Sequence, residues 1–265
     1  MQKDEKARIV HKEKWGEYVL LGVHSPDISV QAHPGQFLMV RPDSGLHPLL
    51  RRPFSIHAVR PDRLEIFFQR TGAGTARLSE KEPGDHLDII GPLGKGFSLD
   101  PSLQGQSMAL VGGGRGIAPL YFLAQRLQDL GAQPTIFYGG KTRHDLPLRP
   151  AFEEKRLPVL CSTDDGSLGF FGPVTELFIE KLDGTAPERV YACGPEAMMA
   201  KIAEIALKKG IPAECSLEAF MGCGFGACWG CVRSIRKESG LEWVKICEEG
   251  PVFSADKIVW DPPEP

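Results

Sequence analysis

Over the first hundred residues, short runs of β-type residues alternate with turn-forming clusters. The runs 17–23, 36–41, 54–59, 63–69 and 86–90 are separated by SPD, PDSG, RPD and EPGD, and spacing of this kind predicts a small antiparallel barrel. One helical segment, 75–81, interrupts it. From about Gln106 the period changes. Strand-like runs at 107–111, 135–139, 158–163 and 189–193 alternate with segments of helical period at 119–130, 173–182 and 196–209. In the first of these helices Ile117, Leu120, Leu123, Ala124, Leu127 and Leu130 share one face, Pro119 suits the first turn and Gly131 the stop. Strand and helix in alternation imply right-handed βαβ units and a doubly wound parallel sheet, with its ligand site at the carboxyl ends of the strands. The last fifty residues break the rhythm again with a loop rich in Gly and Cys, a polar hairpin over 232–246 turning near KESG, and a DPPEP tail expected to fray. The fold class is therefore β plus α/β in three parts: a barrel over 1–102, a parallel-sheet domain over 103–212 and a small cysteine-bearing domain over 213–265.

Composition narrows the classes of function. The chain has 265 residues, 31 basic and 34 acidic, for a net charge of −3; no long-range field attracts nucleic acid or an anionic membrane. No run approaches the roughly 18 apolar residues of a membrane span, and the opening MQKDEKARIV is charged where a signal peptide needs an apolar stretch. A cytoplasmic chain is expected. In that compartment seven cysteines point to metal ligands or buried thiols rather than disulfides.

Four of the seven, Cys223, Cys228, Cys231 and Cys247, form C-x4-C-x2-C with a fourth member fifteen intervening residues later. This is the spacing of plant-type 2Fe-2S ferredoxins. The residues between them, Gly222, Gly224, Gly226, Ala227 and Gly230, are small, as a loop needs to be when its amides face sulfur and its backbone approaches iron. A structural zinc site is the alternative, because four thiolates also satisfy tetrahedral zinc. Cys161, Cys193 and Cys215 stand singly in or beside apolar strands, where packed thiols are the default.

Other segments carry phosphate-binding chemistry. Arg52-Pro53-Phe54-Ser55 opens one barrel run, and Gly72-Ala73-Gly74-Thr75 follows another. An arginine fork beside a hydroxyl can clamp a phosphate, and a glycine turn leading into a helix presents amides to the same group. Gly112-Gly113-Gly114-Arg115-Gly116 joins the strand ALV to the amphipathic helix, so a pyrophosphate could lie at the positive helix end. The match to G-x-G-x-x-G is incomplete, since Pro119 fills the third glycine place. Thr163-Asp164-Asp165-Gly166 and Cys193-Gly194-Pro195-Glu196 end two further strands at the predicted ligand edge. Acidic groups there favour a free ribose 2′-hydroxyl and hence NAD over NADP. Arg143 is a counterweight, and Asp164 and Asp165 can also be read as turn formers.

Taken in order, the Arg-Pro-aromatic-Ser strand, the G-x-G-T turn, the GGG-x-G-x-A-P turn and the C-G-P strand end resemble the ferredoxin-NADP reductase superfamily over roughly residues 8–210. Phe54 stands where that pattern has Tyr, which removes a hydroxyl contact but leaves a ring for stacking on a flavin. With MGCGFGACWGC and KICEEGPVFSADKIVW added, the chain is similar over essentially its whole length to the electron-transfer subunits of type 1B dihydroorotate dehydrogenases. The resemblance implies FAD in the barrel, held by Arg52, Pro53, Phe54, Ser55, Phe67, Phe68, Gln69, Gly74 and Thr75. It implies NAD in the second domain, where the glycine turn and the two strand ends nominate Gly112, Gly113, Gly114, Gly116, Thr163, Asp164, Asp165, Gly194 and Pro195, and a 2Fe-2S cluster on the four late cysteines. It also implies a partner, the FMN-containing catalytic subunit that oxidises dihydroorotate, in a heterotetramer of two of each. Cys193 would approach the nicotinamide, with a plain packed thiol as its alternative role, and no acid or base for dihydroorotate is expected here. Phe225 and Trp229 in the cluster loop predict an interface or, alternatively, packing on the nucleotide domain. Flavin subunits of ferredoxin-NAD(P) reductases, sulfide dehydrogenases or hydrogenases would share these motifs; a zinc-stabilised nucleotide-binding module is the rival from another class.

Overall fold

The computed structural model describes residues 1–43, 45, 47–182, 184 and 186–260; the DPPEP tail lies outside the described residues. Strands β1 (Gln2–Trp15), β2 (Tyr18–His24), β3 (Phe37–Arg41), β4 (Arg52–Val59), β5 (Leu64–Gln69) and β6 (His86–Leu93) close a barrel in the order β1-β2-β5-β4-β3-β6. Every pair is antiparallel. Helices α1 (Pro26–Ser29) and α2 (Ala73–Glu80) lie in its connections. Ile9, Val19, Leu21, Leu38, Val40, Ile56, Ile66 and Ile89 fill the barrel. Sequence periodicity missed β1, because most of its Lys and Glu residues face water while only Ala7 and Ile9 are fully buried. Pairing with both β2 and β6 holds it in place despite that composition.

The second layer system is built on β7 (Ser107–Gly113), β8 (Gln133–Gly140), β9 (Val159–Thr163), β10 (Phe170–Phe171), β11 (Arg189–Cys193) and β12 (Ala213–Ser216). A hairpin of β13 (Val232–Lys237) and β14 (Gly240–Lys245) follows, then β15 (Val252–Ser254). The sheet order is β10-β9-β8-β7-β11-β12-β15, parallel except that β15 runs antiparallel to β12. Thus the sheet reaches past residue 212, and the cysteine segment leaves and rejoins it between two neighbouring strands. Helices α3 (Ile117–Asp129), α4 (Arg149–Glu154), α5 (Val174–Leu182) and α6 (Glu196–Lys208) cover the sheet, and α7 (Ile246–Glu249) precedes β15. Strand order reverses between β7 and β11, the kind of switch point where open α/β sheets form their ligand crevice.

Helix α3 explains how the two large units meet. It is apolar nearly all round, and a helix of that composition is buried on more than one side. Leu120, Leu123 and Leu127 belong to the sheet core while Phe122 packs into the barrel core. On β4, His57 is fully enclosed, stacks on Tyr121 of α3 at 4.6 Å and shares its Nδ1 with the Ala118 carbonyl at 2.9 Å. Burial drops its pKa to about 4, so the imidazole is neutral. No helix of the described residues is long and apolar enough to cross a membrane.

Candidate functional site

Two adjoining cavities lie where the barrel meets the sheet. The first, about 240 Å³, is lined by Arg52, Pro53, Phe54 and Ser55 from β4 and by Phe67, Phe68 and Gln69 from β5. Thr75, Gly116, Cys193 and Met221 complete its wall together with Arg115 and Glu218. Alternation along the strands cannot by itself bring Phe67 and Phe68 to one space; they stand at the barrel rim, where Phe67 stacks on Tyr18 at 5.5 Å and Phe68 meets Phe54 at 5.2 Å. Gly74 lies just outside the lining, but a Cβ there would sit 3.2 Å from Arg52 Nε, so the glycine lets the guanidinium cross the start of α2. The Thr75 hydroxyl accepts from the amides of Thr71 (2.9 Å) and Gly72 (3.1 Å), shaping its own turn. An aromatic, partly apolar slot with Arg52 and Arg115 in its wall fits a flat ring system carrying a phosphate tail.

The second cavity, about 670 Å³, opens over the carboxyl ends of β7, β8, β9 and β11. Of the residues expected there, Gly113, Gly114, Gly116, Asp164, Gly194 and Pro195 line it. Gly112, Thr163 and Asp165 stand behind the lining. Gly112 makes room for Ile117 against the strand, Thr163 Oγ1 bonds both the amide and carbonyl of Leu168 at 3.0 Å, and Asp165 Oδ1 accepts from Ser167 N at 2.9 Å. Arg143 is drawn away onto the Ser167 carbonyl, with Nε at 3.1 Å. The glycine loops interlock: a Cβ on Gly113 would meet Pro195 Cδ and Met198 Sδ at 2.8 Å, and one on Gly116 would meet Gly194 Cα at 2.5 Å. Only glycines let the β7–α3 turn and the β11 end approach this closely. Gln69, Arg115, Gly116 and Glu218 line both cavities, so the two are continuous.

Cys193, which ends β11, lines the first cavity and is 4% exposed. Burial, and after it the charge of Glu218, drives its pKa far above the ordinary thiol value, keeping it a neutral S–H. Arg115 and Glu218 pair across the junction at 3.3 Å, both half exposed.

The late cysteines follow β12. Hydrogen bonds sort them into two pairs, Cys223 with Cys228 and Cys231 with Cys247. Burial raises Cys223, but the amides of Phe225 and Cys228, the Cys228 thiol and the Ala227 amide outweigh it and bring the thiol to about 7. Burial and the Cys231 contact push Cys247 up to about 12, although the Gly226 amide donates to its sulfur at 3.1 Å. Gly230 N also reaches Cys228 Sγ, at 3.4 Å. A Cβ on Gly222 would lie 3.2 Å from Cys228 Sγ, and Gly224 and Gly226 hold φ of +85° and +86°. Among the described residues no three His, Cys, Asp or Glu side chains converge on one ion. Two thiol pairs, amides directed at sulfur and a glycine-rich loop fit a two-iron centre with two thiolates per iron.

Comparison with known proteins bears on both units. A model of the iron-sulfur cluster binding domain of dihydroorotate dehydrogenase B matches residues 218–259, and one of the oxidoreductase NAD-binding domain matches residues 110–204. A relative from Desulforamulus reducens, named dihydroorotate dehydrogenase B (NAD(+)), electron transfer subunit, is 41% identical over 239 residues, 89% of this chain and 90% of its own. The chain belongs to that family. The homologue from Aquifex aeolicus is 35% identical across 92% of this chain and 93% of its own. Among solved structures, an NADH-dependent reduced ferredoxin-NADP oxidoreductase studied for flavin-based electron bifurcation superposes with a TM-score of 0.83 at 29% identity, covering 97% of this chain and 91% of that one. A ferredoxin NADP+ reductase from Neisseria gonorrhoeae shares the fold with a TM-score of 0.66 at 19% identity, over 79% of this chain and 92% of its own.

As a family member the chain is an NAD-linked oxidoreductase subunit, and the segments matched by the two family models take in most of the lining of the second cavity and the cysteine loop. Glu196, which ends one of the two strand-end motifs, lines this cavity too, and so do residues that sequence reasoning did not nominate: Tyr18, Lys141, Asp145, Met198 and Glu218. Lys141 was within reach of the strand-end rule, since it follows the glycines that close β8. Tyr18 was not, because it comes from the barrel; its hydroxyl donates to Asp145 at 2.9 Å and joins the two units at the cleft rim.

Proposed function

We propose that this chain carries electrons between an FMN-bearing catalytic subunit that oxidises dihydroorotate and NAD+, by way of a 2Fe-2S cluster and FAD, in the cytoplasm. A nicotinamide takes a hydride, a cluster passes single electrons, and a flavin supplies the exchange between the two. The supporting observation is continuity. Met221 lines the first cavity two residues before Cys223, while Gln69 and Gly116 line both that cavity and the glycine-lined cleft. In this reading the three cofactor sites are neighbours along that path.

In this reading Arg52 anchors the flavin phosphates, Phe54 and Phe68 present rings rather than hydroxyls to it, and Gln69 stands between flavin and nucleotide. The β7–α3 turn offers amides to the dinucleotide phosphates, and Asp164 selects a free 2′-hydroxyl. Cys193, as a neutral thiol, packs against the nicotinamide without adding a charge beside the transferred hydride. Cys223, Cys228, Cys231 and Cys247 hold the iron; the divisions at 102 and 212 are crossed by the first cavity, whose wall takes residues from all three parts.

Around the cysteines Phe220 is 97% exposed, and Phe225, Trp229, Leu241 and Trp243 are also open to water. Such a concentration of apolar side chains on the cluster hairpin and loop fits the face that meets the catalytic subunit, in a heterotetramer of two copies of each chain. The test is a visible spectrum of anaerobically purified protein, followed by NADH titration and then dihydroorotate with and without the partner. Flavin and iron-sulfur bands that NADH bleaches, and that dihydroorotate bleaches only with the partner present, are expected. A colourless chain, or one that takes electrons from dihydroorotate unaided, would overturn the assignment.

A further inference from the structure

We propose that Lys245 is a positioning residue of the cysteine loop and raises the reduction potential of the cluster held there; this rests on the reading of residues 223–247 as a 2Fe-2S site. The argument begins with a strained residue. Trp229, between Cys228 and Cys231, has φ of +56°. The left-handed conformation is strained for an L-residue, and a bulky side chain keeps it only where its surroundings hold it.

One ammonium group faces its ring. Lys245 Nζ lies 4.8 Å from the centroid of the Trp229 ring, a cation–π contact. The same Nζ donates to the Gly226 carbonyl at 3.1 Å and pairs with Glu248 at 2.5 Å. Gly226 in turn donates its N–H to Cys247 Sγ at 3.1 Å. A Cβ on Gly226 would strike Glu248 Oε2 at 2.7 Å and stand 3.3 Å from Lys245 Nζ, so the glycine is what lets the ammonium reach the loop. One side chain thereby fastens the segment of the first three cysteines to the segment of the fourth.

Its charge follows from the same placement. The Lys245 side chain is 18% exposed and its partner Glu248 53%, so water screens the carboxylate more than the ammonium. A positive charge beside the site and an N–H directed at a ligand sulfur both favour the reduced, more negative cluster. Removing Lys245 subtracts the charge and loosens Gly226, and both changes lower the potential.

The experiment uses the full chain purified anaerobically with its catalytic subunit, as wild type, K245M, K245R and E248Q. Iron and acid-labile sulfide per chain, the EPR spectrum of the reduced cluster and its midpoint potential are measured, with the flavin potential as internal reference. K245M is expected to shift the cluster midpoint negative and to lose iron several-fold faster in air, while K245R restores both and the flavin potential stays in place. E248Q removes the countercharge and is expected to shift the midpoint positive, which keeps the test decisive if K245M holds no cluster. Wild-type midpoint and iron retention in K245M, or an E248Q midpoint unchanged or more negative, overturns the proposal alone. An iron-free wild type, seen before any variant is compared, overturns the cluster reading and the proposal with it.

Discussion

Gly116→Ala isolates the junction between the two cavities. Gly116 has φ of −63°, which any residue adopts, so alanine brings no backbone strain and would by propensity favour the helix it precedes. The obstacle is space. The new Cβ would lie 2.5 Å from Gly194 Cα and 2.6 Å from the Cys193 carbonyl carbon, whereas ordinary contact begins at 3.4 Å. Neither obstacle is a flexible side-chain end, so the β7–α3 turn and the β11 end must separate by about 0.9 Å. Overpacking of this kind costs about 1–3 kcal/mol of stability, and a misplacement near 1 Å can slow a positioned reaction by about 100-fold. Gly114→Ala is the control. Gly114 has φ of +52° but open space around its Cβ position, so alanine there carries about 1–2 kcal/mol of strain without pushing the loops apart. Stopped-flow reduction of the bound flavin by NADH should therefore fall about 100-fold in Gly116→Ala and only a few-fold in Gly114→Ala, although urea unfolding shows both destabilised. If Gly116→Ala reduces at the wild-type rate, or if Gly114→Ala is the slower variant, the interlocked loops do not set the hydride geometry.

Further outcomes follow from single contacts. Cys223→Ser should lose iron and sulfide while keeping FAD, as read by metal analysis and flavin absorbance, because Cys223 does not line the flavin cavity. Tyr18→Phe removes a hydrogen bond to a carboxylate, leaves Asp145 bonded to Thr142 N at 3.0 Å, and should lower unfolding free energy in urea by about 1.5 kcal/mol. His57 gives a pH dependence of defined sign. Its folded pKa of about 4 lies below the unfolded value near 6.5, so the unfolded chain binds the proton first and stability is lost as pH falls from 6.5 to 4. Relative to His57→Gln, the wild type should lose about 3 kcal/mol across that window in denaturant titrations, and parallel pH profiles would contradict a neutral enclosed imidazole.

How much of this was legible in the chain depended on the range of the interaction. The alternation of β-type runs and turns marks five of the six barrel strands, because their inward residues are apolar in period two. It passes over β1, which is held by ladders on both sides rather than by its own composition. The three-residue strand β15 and the two-residue strand β10 carry no periodic signal and exist only through their neighbours. Site residues were legible where function demands unusual local chemistry: glycines at crossing backbones and cysteines at fixed spacing. Lys245 and Tyr18 were not, because a lysine ending a polar hairpin and a tyrosine opening a strand look ordinary until the partner segment is in place.

The relation between the cysteine loop and the barrel shows what the chain order accomplishes. β12 and β15 are neighbours, so the segment between them is an insertion anchored at both ends to the nucleotide sheet. At its start Leu217, Glu218, Ala219 and Met221 form part of the flavin-cavity wall, and at its end Pro251 does the same. Gly224, inside the loop, lies so close to the barrel that a Cβ would stand 2.7 Å from Met39 Sδ. The loop is therefore fixed against the barrel and the sheet at once, while Phe220, Phe225 and Trp229 remain on its outer side. Electron transfer needs a short gap on the flavin side and an accessible face on the other, and tethering an insertion between adjacent strands meets both demands. A larger side chain at Gly224 would push the loop off Met39, so it should slow electron flow from cluster to flavin more than it slows flavin reduction by NADH.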